Sequence, residues 1–334
     1  MVCVACRGCG RQSVEARRER MTGQTGEPIV DVVVTAYGRP GYLREAIESV
    51  LAQTYSDWRL TIGENGPGGG DLEAVVTPFL SDPRVRFVVS GRDVGASRNA
   101  ANLVGRTTAR YVGLLHDDDL WDPQFLERRV AFLDAHPNCG LVFSGCRVID
   151  GNGDEVFRTK DTFREGIQPR RRFMRTLYRS NVIYIPTVLV PRVVYEELGP
   201  PREDVLFYDY EMWLRIASHY DVAYLAGCDA AYRVHSNQLT HREVRRLGEL
   251  RLRLLEQLDD DVLATLPALD RRRARSAALL HVAADAFRRR EARRASAAAV
   301  RAFSTYPAAA VDPRLFADVL HAWRRRRMVQ NAWR

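Results

Sequence analysis

The sequence predicts an α/β protein: a mainly parallel sheet flanked by helices, continued at its C-terminal end by a helical extension. Strand-like apolar runs alternate with helical patterns from residue 29 to 135. The alternation then breaks at a hairpin signal, and from about Leu239 the chain becomes rich in Ala, Leu and Arg.

The elements follow in order. Ile29 to Ala36 is a nearly continuous β-branched run, stopped by Tyr37-Gly38-Arg39-Pro40. From Tyr42 to Gln53, Leu43, Ile47, Val50 and Leu51 fall on one helical face. The cycle then repeats: strand Trp58–Gly63, a Gly-rich loop at 66–70, helix Asp71–Leu80, strand Val85–Val89, helix Ala96–Arg106, strand Tyr111–Leu115 and helix Pro123–Ala135. Strands alternating with helices imply a parallel sheet covered on both faces. After Leu141–Val148, the run Asp150-Gly151-Asn152-Gly153-Asp154 reads as a tight hairpin turn. A basic helix is expected at Arg170–Tyr178, a strand at Val182–Val190, and helices near Val193–Leu198 and at Tyr208–His219. Asp312-Pro313 is a good cap and first-turn pair for a last helix.

At 334 residues and 46% hydrophobic, the chain can bury a substantial core. No stretch approaches the roughly 20 uncharged apolar residues of a membrane helix, and the first residues lack an apolar signal core, so a cytoplasmic protein is expected. The net charge of +8 is uneven: residues 271–334 hold 16 arginines against four acids. Lys160 is the single lysine, so part of this arginine excess is compositional. We read the tail as a solvated helix face, with peripheral contact to an anionic membrane as the alternative. Nucleic acid is not expected as a partner, because the tail carries no recognisable reading module. Cys139, Cys146 and Cys228 read as reduced, buried thiols. Cys3, Cys6 and Cys9 form a C-x-x-C-x-x-C run that can hold a metal only with a fourth ligand, and none lies nearby. Because the first strand begins only near Ile29 and Met21 is a plausible start, residues 1–27 are read as a disordered or mistranslated leader.

Sheets of this kind bind ligands beyond the carboxyl ends of their strands. Three polar features fall there: Thr35-Ala36-Tyr37, Glu64-Asn65 and His116-Asp117-Asp118-Asp119. Three consecutive carboxylates repel one another by at least about 1 kcal/mol per close pair even in a water-like dielectric. A divalent cation offsets that, and hard oxygen ligands suit Mg²⁺ or Mn²⁺. The plainer alternative is a solvated turn, with Asp122 capping the helix at Pro123.

The segment from Val32 to Asp150 resembles the inverting glycosyltransferases of family 2, which have the GT-A fold. The likeness runs through Val33-Val34-Thr35-Ala36-Tyr37-Gly38-Arg39-Pro40, Leu43 to Tyr55, the Gly95–Asn99 turn and Leu115–Trp121, and extends to about Thr240. It implies a donor domain at 28–120, an acceptor half at 121–240 and a helical, Arg-rich extension at 241–334. Thr35, Ala36, Tyr37, Arg39, Glu64, Asn65, Arg98, Asp117 and Asp118 would then line the nucleotide-sugar site. Asp118 and Asp119, with His235 of Tyr232-Arg233-Val234-His235-Ser236, would hold the metal. Tyr208-Asp209-Tyr210-Glu211 is similar to the family's second acidic motif, which makes Asp209 the expected general base and Glu211 the alternative. Two departures stand out. Glu64-Asn65 replaces a usual pair of aspartates, which puts the base in doubt, and Gly38 replaces a usual Asn.

The implied reaction is transfer of a sugar, with inversion, from a UDP, dTDP or GDP sugar to a carbohydrate, lipid-linked or small-molecule acceptor. Glu64-Asn65 leaves one competing reading, a binding or scaffold protein whose donor site has degenerated.

Overall fold

In the structure, a computed structural model, residues 28–239, 246–313 and 315 are described. The first half winds as the alternation predicts. β1 (Val30–Ala36), β2 (Trp58–Glu64), β3 (Val85–Val89) and β4 (Tyr111–His116) are separated by α1 (Pro40–Leu51), α2 (Asp71–Val76) and α3 (Ala96–Val104). Helix α4 (Phe125–Ala135) follows the short strand β5 (Leu120–Trp121). β1 pairs in parallel with both β2 and β4, so Thr35 lies opposite His116 while Ala36 lies opposite Glu64. This register brings the three polar strand ends to one level.

The second half is less regular. Strands β6 (Cys139–Ser144), β7 (Arg147–Ile149), β8 (Glu155–Arg158) and β9 (Gly166–Ile167) precede α5 (Arg170–Arg179), β10 (Leu189–Pro191), α6 (Arg192–Leu198), α7 (Tyr208–His219), β11 (Asp221–Leu225) and β12 (Ala230–Arg233). The main sheet has the order β3-β2-β1-β4-β10-β6-β11-β9, and a smaller sheet has the order β5-β12-β7-β8. β10 runs antiparallel to both of its neighbours, β4 and β6.

Several expectations are corrected here. The run 182–190 is not one strand: Ile185–Thr187 is a 3₁₀ turn and only Leu189–Pro191 joins the sheet. Pro186 has no N–H to give a ladder, which explains the break. The run 141–148 splits into β6 and β7, which belong to different sheets. The helix begun at Asp71 gives way at Thr77 to a 3₁₀ turn containing Pro78. Asp122 is not the cap of α4, which starts at Phe125 behind Gln124, and its carboxylate pairs with Arg147.

Beyond β12 the described residues are helical: α8 (Leu247–Gln257), α9 (Asp260–Ala264), α10 (Ala268–Arg288) and α11 (Ala292–Thr305). Leu252, Leu254, Leu279 and Ala302 belong to the same continuous apolar core as β1 and β4. The extension therefore packs onto the sheet domain. Cys3, Cys6 and Cys9, and the helix expected after Asp312-Pro313, lie outside the described residues apart from scattered positions. Cys139, Cys146 and Cys228 are free thiols. No helix among the described residues is long and apolar enough to cross a membrane.

One close approach fixes how α7 meets β6. A Cβ added at Gly140 would lie 2.4 Å from Tyr220 Cβ, an atom too close to the backbone to swing away. Gly140→Ala is expected to destabilise the fold by about 1–3 kcal/mol. In urea unfolding this would appear as a lower midpoint with an unchanged slope.

Candidate active site

The acidic turn is held from three directions. Asp117 N–H continues the β1–β4 ladder by donating to Thr35 O (3.1 Å), and Tyr37 N–H donates to Asp117 Oδ2 (2.8 Å). Gly38 then turns the chain at φ +65°, a left-handed conformation in which a β-carbon is strained. This turn aims Arg39 back at the acids, where its guanidinium pairs with both Asp117 and Asp118. From below, the buried Gln53 of the segment after α1 donates to Asp122 O (2.9 Å) and accepts from Leu126 N–H (3.0 Å), pinning the chain just past the turn.

The third direction is β12. Because β12 pairs with β5, it arrives beside the turn, where Arg233 N–H donates to Asp119 Oδ1 (3.0 Å) and Arg233 Nε to Asp118 O (3.0 Å). His235 follows with Nε2 3.0 Å from Asp118 Oδ2 and 3.3 Å from Arg39 Nη1.

Asp117, Asp118 and Asp119 are at most 3% exposed. Burial pushes the Asp117 carboxyl up to about 7 even with Arg39 beside it, and pushes Asp119 well above the carboxylate range. Burial acts on Asp118 too, but the His235 hydrogen bond and the Arg39 charge outweigh it and hold it down to about 2. Among the described residues, the three buried acids thus have one ion-paired guanidinium, that of Arg39, while Arg233 bonds the Asp118 carbonyl and pairs with Glu45, and the site is short of positive charge. Asp119 Oδ2 is buried without a hydrogen bond, 3.9 Å from His116 Nδ1. Ligand atoms of His116, Asp118 and Asp119 lie within 4.8 Å of one another. Two carboxylates and an imidazole suit Mn²⁺ or Mg²⁺ better than a soft metal.

His116, which the sequence leaves open between packing at the strand end and a functional role, stands beside the acids. Burial holds its ring pKa below the usual range, so the neutral form is favoured. Its Nε2 lies 2.8 Å from Tyr208 Oη. With the proton on Nε2, donated to Tyr208, Nδ1 presents a lone pair towards Asp119. His235 instead lies on the Arg39 side of Asp118.

Tyr208 also connects the triad to the expected base, since it opens α7 and Asp209 is the next residue. Burial pushes the Asp209 carboxyl up to about 6, and Asn181 Nδ2 lies 3.5 Å from its Oδ2. Glu211 differs. It is 1% exposed and accepts from Arg215 Nη2 (3.1 Å), whose guanidinium also bonds the Leu198 and Pro200 carbonyls. That engagement fits a structural anchor, and Asp209 is the less engaged of the two carboxylates.

At the carboxyl ends of β1 and β2, Tyr37 is 49% exposed whereas Ala36 is fully buried, with its carbonyl bonded to Asn65 N–H (2.9 Å). Glu64 is buried beside them. Asn65 uses both ends of its amide on the following loop: Nδ2 donates to Asp93 Oδ1 (2.8 Å) and Oδ1 accepts from Val94 N–H (2.8 Å). Asp93, an exposed acid not singled out in the sequence, thus places a carboxylate directly beside position 65. Hydrogen bonds from Gly95 N–H and Asn65 hold the Asp93 pKa below its ordinary value. Arg98, on α3, donates from Nε to Glu203 Oε2 (2.7 Å) rather than turning to the triad.

The family description "Glycosyl transferase family 2" matches residues 31–199, half of the chain. The chain belongs to glycosyltransferase family 2. Among curated relatives, an uncharacterised glycosyltransferase of Methanocaldococcus jannaschii is 28% identical over 208 residues, 60% of this chain and 69% of that one. TuaG of Bacillus subtilis, a glycosyltransferase named for teichuronic acid biosynthesis, is 23% identical over 215 residues, 64% of this chain and 82% of TuaG. Among solved structures, residues 1–349 of S. aureus TarS with UDP-GlcNAc align at TM-score 0.59 and 14% identity, over 91% of this chain and 89% of that one. A Pyrobaculum calidifontis mannosyltransferase in complex with GDP-Man and Mn²⁺ aligns at TM-score 0.54 and 16% identity, over 97% and 93%. The fold of this glycosyltransferase is GT-A.

Proposed function

We propose that this glycosyltransferase moves a sugar, with inversion, from a nucleoside-diphosphate donor to an acceptor hydroxyl in polysaccharide synthesis. The observation that carries the reading is the buried acidic turn, short of positive charge, joined through His116 and Tyr208 to Asp209. Support for a nucleotide-sugar donor comes from the UDP-GlcNAc and GDP-Man complexes of its structural neighbours, and support for polysaccharide synthesis from the name of TuaG.

In this reading Asp209 takes the proton of the acceptor hydroxyl. The oxygen attacks the anomeric carbon from the face opposite the nucleotide, the bond to the diphosphate breaks, and the nucleoside diphosphate leaves. Asp118 and Asp119, with His116, would hold a divalent cation, whose charge would offset that of the departing diphosphate. His235 keeps Asp118 ionised and oriented. Arg39 supplies positive charge at the turn and joins the base-binding loop to it. Asp93 and Tyr37 flank the expected base position, where a carboxylate suits an imino N–H of uracil, thymine or guanine.

Calorimetric titration with a panel of nucleoside diphosphates, with and without Mn²⁺, tests this. One nucleotide is expected to bind only with metal. Asp118→Ala is expected to weaken that binding by at least the roughly 10–100-fold lost when a ligand's outer-shell partner is removed. Binding that is indifferent to both metal and the Asp118 substitution would overturn the assignment.

A further inference from the structure

Helix α5 carries the sequence Arg-Arg-Arg-Phe-Met-Arg-Thr-Leu-Tyr-Arg and no acid. Phe173, Met174, Leu177 and Tyr178 are buried, which turns arginines outward. Across from them runs α10 of the helical extension. Between the two helices lies a cavity of about 460 Å³ lined by Arg171, Arg172, Arg175, Arg179 and Arg273, with Thr176 and a single acid, Asp270.

Local acids neutralise part of this cluster. Asp270 pairs with Arg175 (2.7 Å), and Arg273 is held by Asp312 (2.7 Å). Arg171 and Arg172 are exposed and have no acid partner among the described residues. Tyr178 adds context, because Arg251, Arg271 and Arg275 all act on its hydroxyl, so the positive field extends along the seam. A solvated helix face would intersperse acids with bases, and this one does not. Guanidinium forks match phosphate oxygens in a bidentate way, which makes phosphate the natural occupant.

The cleft also leads somewhere. Tyr210 Oη donates to the Leu177 and Tyr178 carbonyls (2.6 and 3.1 Å), so the C-terminal turn of α5 is fastened to the start of α7. Two residues past α5, Asn181 reaches Asp209. At the helical rise, Arg171 lies about 12 Å along the helix axis from Arg179, the last residue of α5. A single phosphate cannot span that, whereas an extended chain bearing several can.

We propose that the α5–α10 cleft binds the phosphate groups of an anionic polymer acceptor and leads its hydroxyl end towards Asp209. The proposal rests on the glycosyltransferase reading for the role of Asp209; the phosphate site itself is tested independently.

The experiment titrates the full chain with inorganic tripolyphosphate in metal-free buffer at several salt concentrations. Wild type is expected to bind, more weakly as salt rises. Arg171→Ser/Arg172→Ser is expected to bind at least tenfold more weakly, and Arg293→Ser/Arg301→Ser, which removes two exposed arginines from α11, to bind as wild type. Equal binding by the α5 variant, or an equal loss in the α11 variant, would sink the proposal. Sedimentation with phosphatidylglycerol vesicles forms the second arm. Vesicle binding that depends on Arg171 and Arg172 without a matching loss of tripolyphosphate affinity would make the cleft a membrane contact and overturn the acceptor assignment. Nucleoside diphosphate titration of the same proteins separates the two questions: no nucleotide binding by wild type would refute the donor reading, whatever the cleft does.

Discussion

Asp209→Asn is expected to lower kcat by about 10²–10⁴-fold, the usual contribution of a positioned general base, while donor affinity stays near wild type. The side chain keeps its size and its place at the start of α7, so a folding defect is not expected to account for the loss. The pH profile adds a sharper test. A base works unprotonated, and burial raises the Asp209 carboxyl to about 6. Wild-type kcat/KM should therefore rise with pH up to about 6 and level off above it. The residual activity of Asp209→Asn should lack that limb. Glu211→Gln is the control, because Glu211 is tied to Arg215. It should alter stability more than rate. A rate loss in Glu211→Gln as deep as that in Asp209→Asn would exchange the two roles.

Arg129→Met is expected to have the largest effect on stability. Arg129 is fully buried: Nε and Nη2 donate to Thr187 O (3.0 and 2.9 Å), Nη1 to Phe125 O (3.1 Å), and Nη1 and Nη2 to Asp229 (2.9 and 2.8 Å). Its guanidinium also lies 3.5 Å from the centre of the Phe125 ring. Burial works against the Asp229 charge, but Arg129, Ser144 and Arg128 outweigh it and hold the pKa below its ordinary value. Removing Arg129 leaves the buried Asp229 with Arg128 (2.6 Å) as its remaining charged partner and takes the guanidinium donors from the Thr187 and Phe125 carbonyls, a loss approaching the ~3–5 kcal/mol of a broken buried pair. A carboxyl with a depressed pKa contributes stability above its unfolded pKa and loses it as pH falls through the folded value. The deficit of Arg129→Met should therefore narrow as the medium is acidified, because Asp229 is neutralised in both proteins. Arg129→Met/Asp229→Ala should recover part of the loss, since it removes a buried carboxylate left with Arg128 alone. Urea unfolding at neutral and acid pH measures all three.

The first half of the fold was legible because each of its elements is specified locally. The β-branched run before Tyr37 becomes a strand buried along almost its whole length, and Leu43, Ile47 and Val50 fall on the buried face of α1. The second half depends on long-range pairing. Nothing near Leu189 announces that three residues will sit between β4 and β6, and nothing near Trp121 announces that Ala230 will be its partner. The site divides in the same way. Three adjacent aspartates at a strand end are a local signal. That Arg39 folds back onto two of them depends on a left-handed glycine, and that His116 faces Asp119 depends on a tyrosine 92 residues away. Asp93 was missed because its meaning comes from Asn65, which appears in the sequence only as a departure from the family pattern. The arginines of α5 were visible as a basic stretch, but the cleft they line exists only once α10 packs across it.

The contribution of β12 has a consequence for how the enzyme is made. During synthesis, β1 to β4 and the three aspartates leave the ribosome more than a hundred residues before Arg233 and His235. Until those residues emerge, Asp119 lacks its backbone donor and Asp118 its imidazole. A nascent chain stalled near residue 225 would carry every aspartate of the turn but not their final arrangement. The order of translation thus delays completion of the acidic turn until β12 has been made, so an unfinished chain carries the three acids without the groups that hold them.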